Sequence, residues 1–134
     1  MQIVKFDPKL HWNIVKEWWD SLGGDWKPVP MGLLPEDGYV AFYEGNPVAA
    51  MFIYFSSNSK MAFLAWPISD RNANSTVRAA CLMQLDKAIQ DLAISKGAVG
   101  IFASAPTEHV ANLYKKFGYV ETEKATQMIR ELRV

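Results

Sequence analysis

The chain has 134 residues, half of them hydrophobic and 21% charged, with five Trp, five Tyr and seven Phe. That length predicts one domain with its own core, and the composition is globular rather than disordered. Fourteen Lys+Arg balance fourteen Asp+Glu, which argues against a broad nucleic-acid surface, and the single cysteine excludes an internal disulfide.

Residues 3–6 predict a short strand, and Asp7-Pro8 a helix start with proline just inside it. Leu10, Trp12, Ile14, Val15, Trp18, Trp19 and Leu22 then recur at helical spacing over an unusually wide arc. Only one of its faces can point fully into a sheet. The Trp18 side, with Leu10 and Ile14, is expected in the core, and the Trp12/Trp19 side at the edge. Gly23-Gly24 ends the helix, and residues 25–38, rich in proline, read as a loop with room for one helical turn.

Residues 39–44 and 47–56 predict strands flanking a tight turn at Gly45-Asn46, and residues 60–66 a third strand. The second and third are apolar on both faces, as central strands are. Residues 67–76 are polar and turn-rich. A helix follows to about Ser95, its stripe Val77, Cys81, Leu85, Ala88 and Leu92, which makes Cys81 a core residue. Residues 98–104 predict a strand that runs parallel to 60–66, because a helix separates the two. Pro106 and Thr107 open an amphipathic helix with its stripe at Val110, Leu113 and Phe117, Gly118 ends it, and residues 125–134 are strand-like. The expected fold is α+β in a single domain, 1–134: a mixed, mostly antiparallel sheet with one parallel βαβ junction and helices on both faces. No apolar run is long enough for a membrane span and no Cys/His spacing marks a metal site, so a soluble, cytoplasmic, metal-free protein is expected.

The segment Asn112-Leu113-Tyr114-Lys115-Lys116-Phe117-Gly118-Tyr119 resembles the Leu-Tyr-x-x-x-Gly-Phe signature of the GNAT superfamily of acyl-CoA N-acyltransferases. The element order resembles that fold over essentially the whole chain. What the resemblance implies is a site for acetyl-CoA, or another short acyl-CoA, where two parallel strands splay apart, here 61–66 and 98–104. Pantetheine would pair with the backbone of the first strand, along Leu64, Ala65, Trp66 and Ile68. The pyrophosphate would rest on N–H groups opening the next helix, where the dipole favours negative charge. The family's phosphate loop reads Arg/Gln-x-x-Gly-x-Gly/Ala, and the corresponding stretch is Arg71-Asn72-Ala73-Asn74-Ser75-Thr76. Arg71 fits the pattern, whereas Asn74 and Thr76 depart from it. Glycine lets a backbone approach phosphate closely; Asn74 can keep the turn, and Thr76 adds bulk together with a hydroxyl donor. The same polar residues also read as ordinary helix caps.

The resemblance further implies that Tyr114 protonates the leaving thiolate, a role that suits a phenol because it is a neutral donor at physiological pH. Packing is its other reading, at the edge of the helix stripe. Ser104 and Thr107 are implied cofactor contacts, and Thr107 reads equally as an N-cap. Strand 60–66 offers no carboxylate, so no general base is marked, and Glu44 and Asp70 read as solvated turn residues. The acceptor side would use Trp19 and Trp26 with Glu36 and Asp37. The implied activity is transfer of an acetyl group to a primary amine of a small molecule or peptide, by direct attack in a ternary complex, with no general nucleic-acid binding and a homodimer left open. A second reading is a catalytically silent domain of the same fold that binds a protein through its tryptophan-rich first helix. Asn74, Thr76 and the missing base favour the second; Arg71 and the Leu113-Tyr114 signature favour the first.

Overall fold

A computed structural model describes residues 1–23, 30–105, 107–126, 128, 130 and 132. The chain divides into two compact units, Met1–Phe102 and Ala103–Val134.

The first unit is built on a five-stranded sheet whose strands lie side by side in chain order: β1 (Gln2–Lys5), β2 (Gly38–Tyr43), β3 (Asn46–Phe55), β4 (Met61–Ser69) and β5 (Gly100–Ala103). The first four pair antiparallel, and β5 runs parallel to β4. The helix α1 (Pro8–Asp20) follows β1, a 3-10 turn (Met31–Leu33) precedes β2, and the long helix α2 (Ser75–Ser95) carries the chain back from β4 to β5. The α+β class, the mixed sheet and its single parallel junction are as expected from the sequence.

The core is layered about β3, where Ala49, Ala50, Met51, Phe52 and Ile53 are all 0% exposed. Alternation sends Ala50 and Phe52 to one face, where they pack with Phe6, Val15, Trp18 and Trp19 of the α1 side. Ala49, Met51 and Ile53 face the other way, toward α2, whose Cys81, Leu85 and Ile89 are fully buried. Burial of each such side chain contributes about 1.5–3 kcal/mol, and two covered faces are why β3 reads as a continuous apolar run. Burial also pushes the Cys81 thiol pKa up, as suits a packing residue. Asp86 is buried on α2 as well, its carboxylate accepting from the Gln90 amide at 2.6 Å.

The start of α1 follows its local signals. The Asp7 carboxylate accepts the Lys9 N–H, Pro8 occupies the first turn, and the His11 Nδ1 accepts the Asp7 N–H at 2.9 Å. The arc of α1 corrects the expectation. Trp18 is in the core, but so is Trp19, only 4% exposed, against the Phe52 ring at 6.4 Å and the Trp12 ring at 6.1 Å. Leu10, expected beside Trp18, is 69% exposed. A large ring reaches the sheet from the flank of a helix, whereas a leucine at the first turn does not.

The hairpin shifts by one residue. Tyr43 pairs with Asn46, so the turn residues are Glu44 and Gly45, with φ of 50° and 80°. Both central positions are left-handed, the arrangement that matches strand twist in a two-residue hairpin, and Glu44 takes a place usually given to Asn, Asp or Gly. β4 also outruns its expected end, continuing through Pro67 to Ser69.

In the second unit, α3 (Glu108–Lys116) is capped by Thr107, whose hydroxyl accepts the Val110 N–H at 3.2 Å. Glu108 in its first turn and Lys115 and Lys116 in its last complement the helix dipole. Gly118, at φ 102°, lets the chain leave the helix. Its most buried residue is Tyr114 rather than the Val110, Leu113 and Phe117 stripe. The expected final strand is not found among the described residues of 125–134; Gln127, Ile129, Glu131, Arg133 and Val134, like Pro106, lie outside them.

Candidate functional site

The irregular feature of the sheet lies on β4. Ala50 pairs with Ile68 and Phe52 with Ala65, so Met51 faces two residues, Trp66 and Pro67. This is a β-bulge, which bends a strand and re-aims its groups, and proline in a sheet is confined to such places or to edges. Trp66 sits at φ 55°, a left-handed conformation that a bulky residue rarely adopts, still less before proline. Such a residue costs on the order of 1–3 kcal/mol and persists only where its surroundings over-determine it. Here they do. The indole packs against the α1 core and donates to the Tyr54 hydroxyl at 2.6 Å, while that hydroxyl donates to the Leu33 carbonyl at 2.6 Å. Burial raises the Tyr54 phenol pKa and the indole N–H lowers it in part, so Tyr54 stays a neutral bridge.

The bulge bears on how β4 meets its parallel neighbour. The Val99 N–H donates to the Lys60 carbonyl at 2.8 Å, and the Phe102 ring lies 5.8 Å from that of Phe63. The four residues of β5 therefore accompany the first half of β4, and the second half, from Ala65 to Ser69, runs on beyond them. Leu64 and Ile68 bury their side chains, so what this stretch can offer a ligand at those positions is backbone.

Beyond β4 comes the polar loop. The Asp70 N–H donates to the Val48 carbonyl at 2.7 Å, its carboxylate accepts the Asn72 N–H, and its carbonyl accepts the Ala73 N–H. The Asn74 carboxamide oxygen then accepts from Thr76 at 2.8 Å and Val77 at 3.3 Å. The opening N–H groups of α2 that would cradle an anion thus hold a side chain of their own loop. A pyrophosphate fits this turn only with Asn74 rotated out, which its exposed position permits. The Arg71 guanidinium is turned to the end of α1, donating to the Ser21 carbonyl at 2.9 Å.

An open cleft of about 840 Å³ adjoins the loop on its hairpin side, bounded by the end of α1, the β2–β3 turn and residues 70–74. Glu17 and Glu44 make its far wall, across from Arg71 and the loop, acidic and unfavourable for phosphates.

The remaining sequence-derived residues are spread widely. Trp19 is in the core, and Trp26 lies outside the described residues. Glu36 is exposed, whereas Asp37 is paired with Lys96 at 3.1 Å, and that ammonium also caps the Phe55 ring at 4.6 Å. Ser75 and Thr76 are exposed on the first turn of α2. In the second unit Ser104 and Thr107 are exposed, and buried Tyr114 packs on the rings of Phe117 and Tyr119 at 6.4 and 5.4 Å. Among the described residues no group of His, Cys, Asp and Glu gathers to hold a metal ion, and no helix is long and apolar enough to cross a membrane. The Leu33–Tyr54–Trp66 bridge leaves no mark in the sequence, and the only trace of the bulge there is Pro67 inside an apolar run.

No family model and no curated protein matches this sequence. Solved structures do. An aminoglycoside acetyltransferase from an uncultured soil metagenomic sample superposes with a TM-score of 0.69 at 13% identity, over 98% of this chain and 96% of that one. Glucosamine-6-phosphate N-acetyltransferase of Arabidopsis thaliana gives 0.64 at 13% identity, over 97% of each chain. A transcriptional regulator of Bacillus halodurans gives 0.69 at 13% identity, over 96% of this chain and 99% of that one. At these identities the likeness is one of fold, and the fold is that of the GNAT acetyltransferases.

Proposed function

We propose that the chain, as one domain over residues 1–134, is an acyl-CoA-dependent N-acyltransferase of the cytoplasm that acetylates a primary amine. The observation that carries the reading is β4: a bulged strand running past its parallel neighbour, in a fold shared with acetyltransferases. When bound, acetyl-CoA or another short acyl-CoA supplies the activated acyl group as a thioester. The backbone of Leu64, Ala65, Trp66 and Ile68 pairs with the pantetheine arm, and N–H groups of that strand are suited to stabilise charge on the acyl oxygen. Arg71, Asn72, Ala73, Asn74, Ser75 and Thr76 receive the pyrophosphate once Asn74 releases the first turn of α2. Tyr114 donates the proton that the leaving thiolate needs, with Ser104 and Thr107 as further cofactor contacts. On the acceptor side Glu36 remains exposed for contact; Asp37 would have to leave Lys96, and Trp19 acts by supporting the wall rather than by touching substrate.

The self-capped loop favours a second reading, a catalytically silent domain that binds a protein partner. A calorimetric titration with acetyl-CoA separates the two. Saturable binding, with acetyl-dependent thiol release when amines are added, supports the transferase. Absence of binding at millimolar acetyl-CoA would assign the silent role.

A further inference from the structure

On β4, Phe63 stands opposite Tyr54 and Ala65 opposite Phe52, so these residues share the face of the sheet that carries α1. The α1 core takes up Trp66 and Ile68 but stops short of the start of the strand. There Met61 and Phe63 are 41% and 43% exposed, and Phe102 of β5 is 50% exposed, its ring tilted by 55° to that of Phe63. Gly100 keeps this surface low, since a Cβ there would lie 3.4 Å from the Met61 sulfur. The bridge from Tyr54 to the Leu33 carbonyl ties the Met31–Leu33 turn, with exposed Met31 and Leu33, to the same strands. The result is an apolar, aromatic shelf at the margin of the strand that carries the transferase reading.

The charge pattern limits what can lie on it. The Met31–Leu33 turn, β3, β4 and β5 contain no Asp or Glu; of the two acids just beyond the turn, Asp37 is engaged by Lys96, which leaves Glu36 as a single exposed carboxylate. A polycationic acceptor needs several carboxylates, and one, Glu36, matches a single ammonium. A planar apolar group finds two half-exposed rings and a thioether.

We propose that the shelf of Met61, Phe63 and Phe102 holds the aromatic body of the acceptor, an arylalkyl primary amine, and so presents its nitrogen at β4. The inference rests on the acyltransferase reading of that strand. In the transfer the uncharged nitrogen forms a C–N bond to the acyl carbon of a short acyl-CoA as the C–S bond breaks. The thiolate takes the Tyr114 proton, and the proton that the nitrogen gives up to water restores the Tyr114 hydroxyl.

Tryptamine is the probe and spermidine the polycationic control, each followed by backbone-amide NMR for binding and by thiol release for turnover. Tryptamine is expected to shift the Phe63 and Phe102 amides and to exceed spermidine by at least about tenfold in kcat/KM. Phe63→Ala should weaken tryptamine binding by about tenfold, the scale of one lost ring contact, with acetyl-CoA affinity and Tm unchanged. Phe102→Ala is the second variant should Phe63→Ala fail to fold. Acetyl-CoA turnover with spermidine equal to or above that with tryptamine overturns the aromatic acceptor and leaves the transferase standing. Tryptamine bound at Phe63 in a protein that does not bind acetyl-CoA supports the shelf and overturns the transferase. Tryptamine that does not bind, or binds the Phe63→Ala and Phe102→Ala variants as well as the parent, overturns the proposal. So does a dimer in sedimentation that Phe63→Ala dissolves, which would make the shelf a subunit face.

Discussion

Asn74 does for the first turn of α2 what an anion would do, satisfying the Thr76 and Val77 N–H groups with its own carboxamide oxygen. Asn74→Gly removes that competitor and restores the glycine of the family pattern. It should lower stability by only a few tenths of a kcal/mol, as Gly is a tolerable cap, and tighten acetyl-CoA several-fold by calorimetry. Weaker binding in this variant would mean that the carboxamide itself contacts the cofactor. Tyr114→Phe keeps a buried ring against Phe117 and Tyr119 while deleting the proton donor. Turnover should fall by about 100-fold or more with acetyl-CoA affinity retained, and a fully active Phe variant would reduce Tyr114 to packing. At this scale the caps were legible in the sequence, because Asp7, Asn74 and Thr107 act on amides only two or three residues away. Trp66 was not. Its left-handed backbone contradicts every local preference of a tryptophan before proline, and only Tyr54 and the α1 core hold it there.

Among the elements, α1 shows where periodicity stops being informative. Its wide apolar arc located the helix but could not divide core from edge, because the division depends on where Phe52 and Phe6 lie across the sheet. Trp18→Ala and Trp19→Ala should each cost about 3–5 kcal/mol in denaturant unfolding, and Trp12→Ala, half-buried, clearly less. A Trp19 variant as stable as the parent would return that ring to the helix edge. The β2 start makes a second test. A Cβ on Gly38 would run into the Phe52 ring, meeting its Cε1 at 2.8 Å. Gly38→Ala should destabilise by about 1–3 kcal/mol through overpacking, although its backbone needs no glycine. Strand existence was legible throughout the first unit. The bulge that lengthens β4 was not, because one extra residue leaves the apolar run intact.

For the whole molecule, fold and function part company. Sequence order, hairpin signals and one intervening helix sufficed for the mixed sheet, and the acetyltransferase structures share it at 13% identity. The proposed chemistry rests on fewer residues, and several of these are engaged elsewhere: Asn74 caps α2, Arg71 holds the Ser21 carbonyl, and Asp37 holds Lys96. These engagements depend on rotamers and neighbours, which no motif records. The most direct measurement of the central claim is a backbone-amide NMR titration of the intact chain with acetyl-CoA. Saturable shifts are expected along Leu64, Ala65, Trp66 and Ile68 and in residues 71–76, with the Thr76 and Val77 amides among the largest as they exchange Asn74 for phosphate. Shifts confined to Glu17, Glu44 and Val48 on the far wall of the cleft, or none at millimolar cofactor, would contradict it.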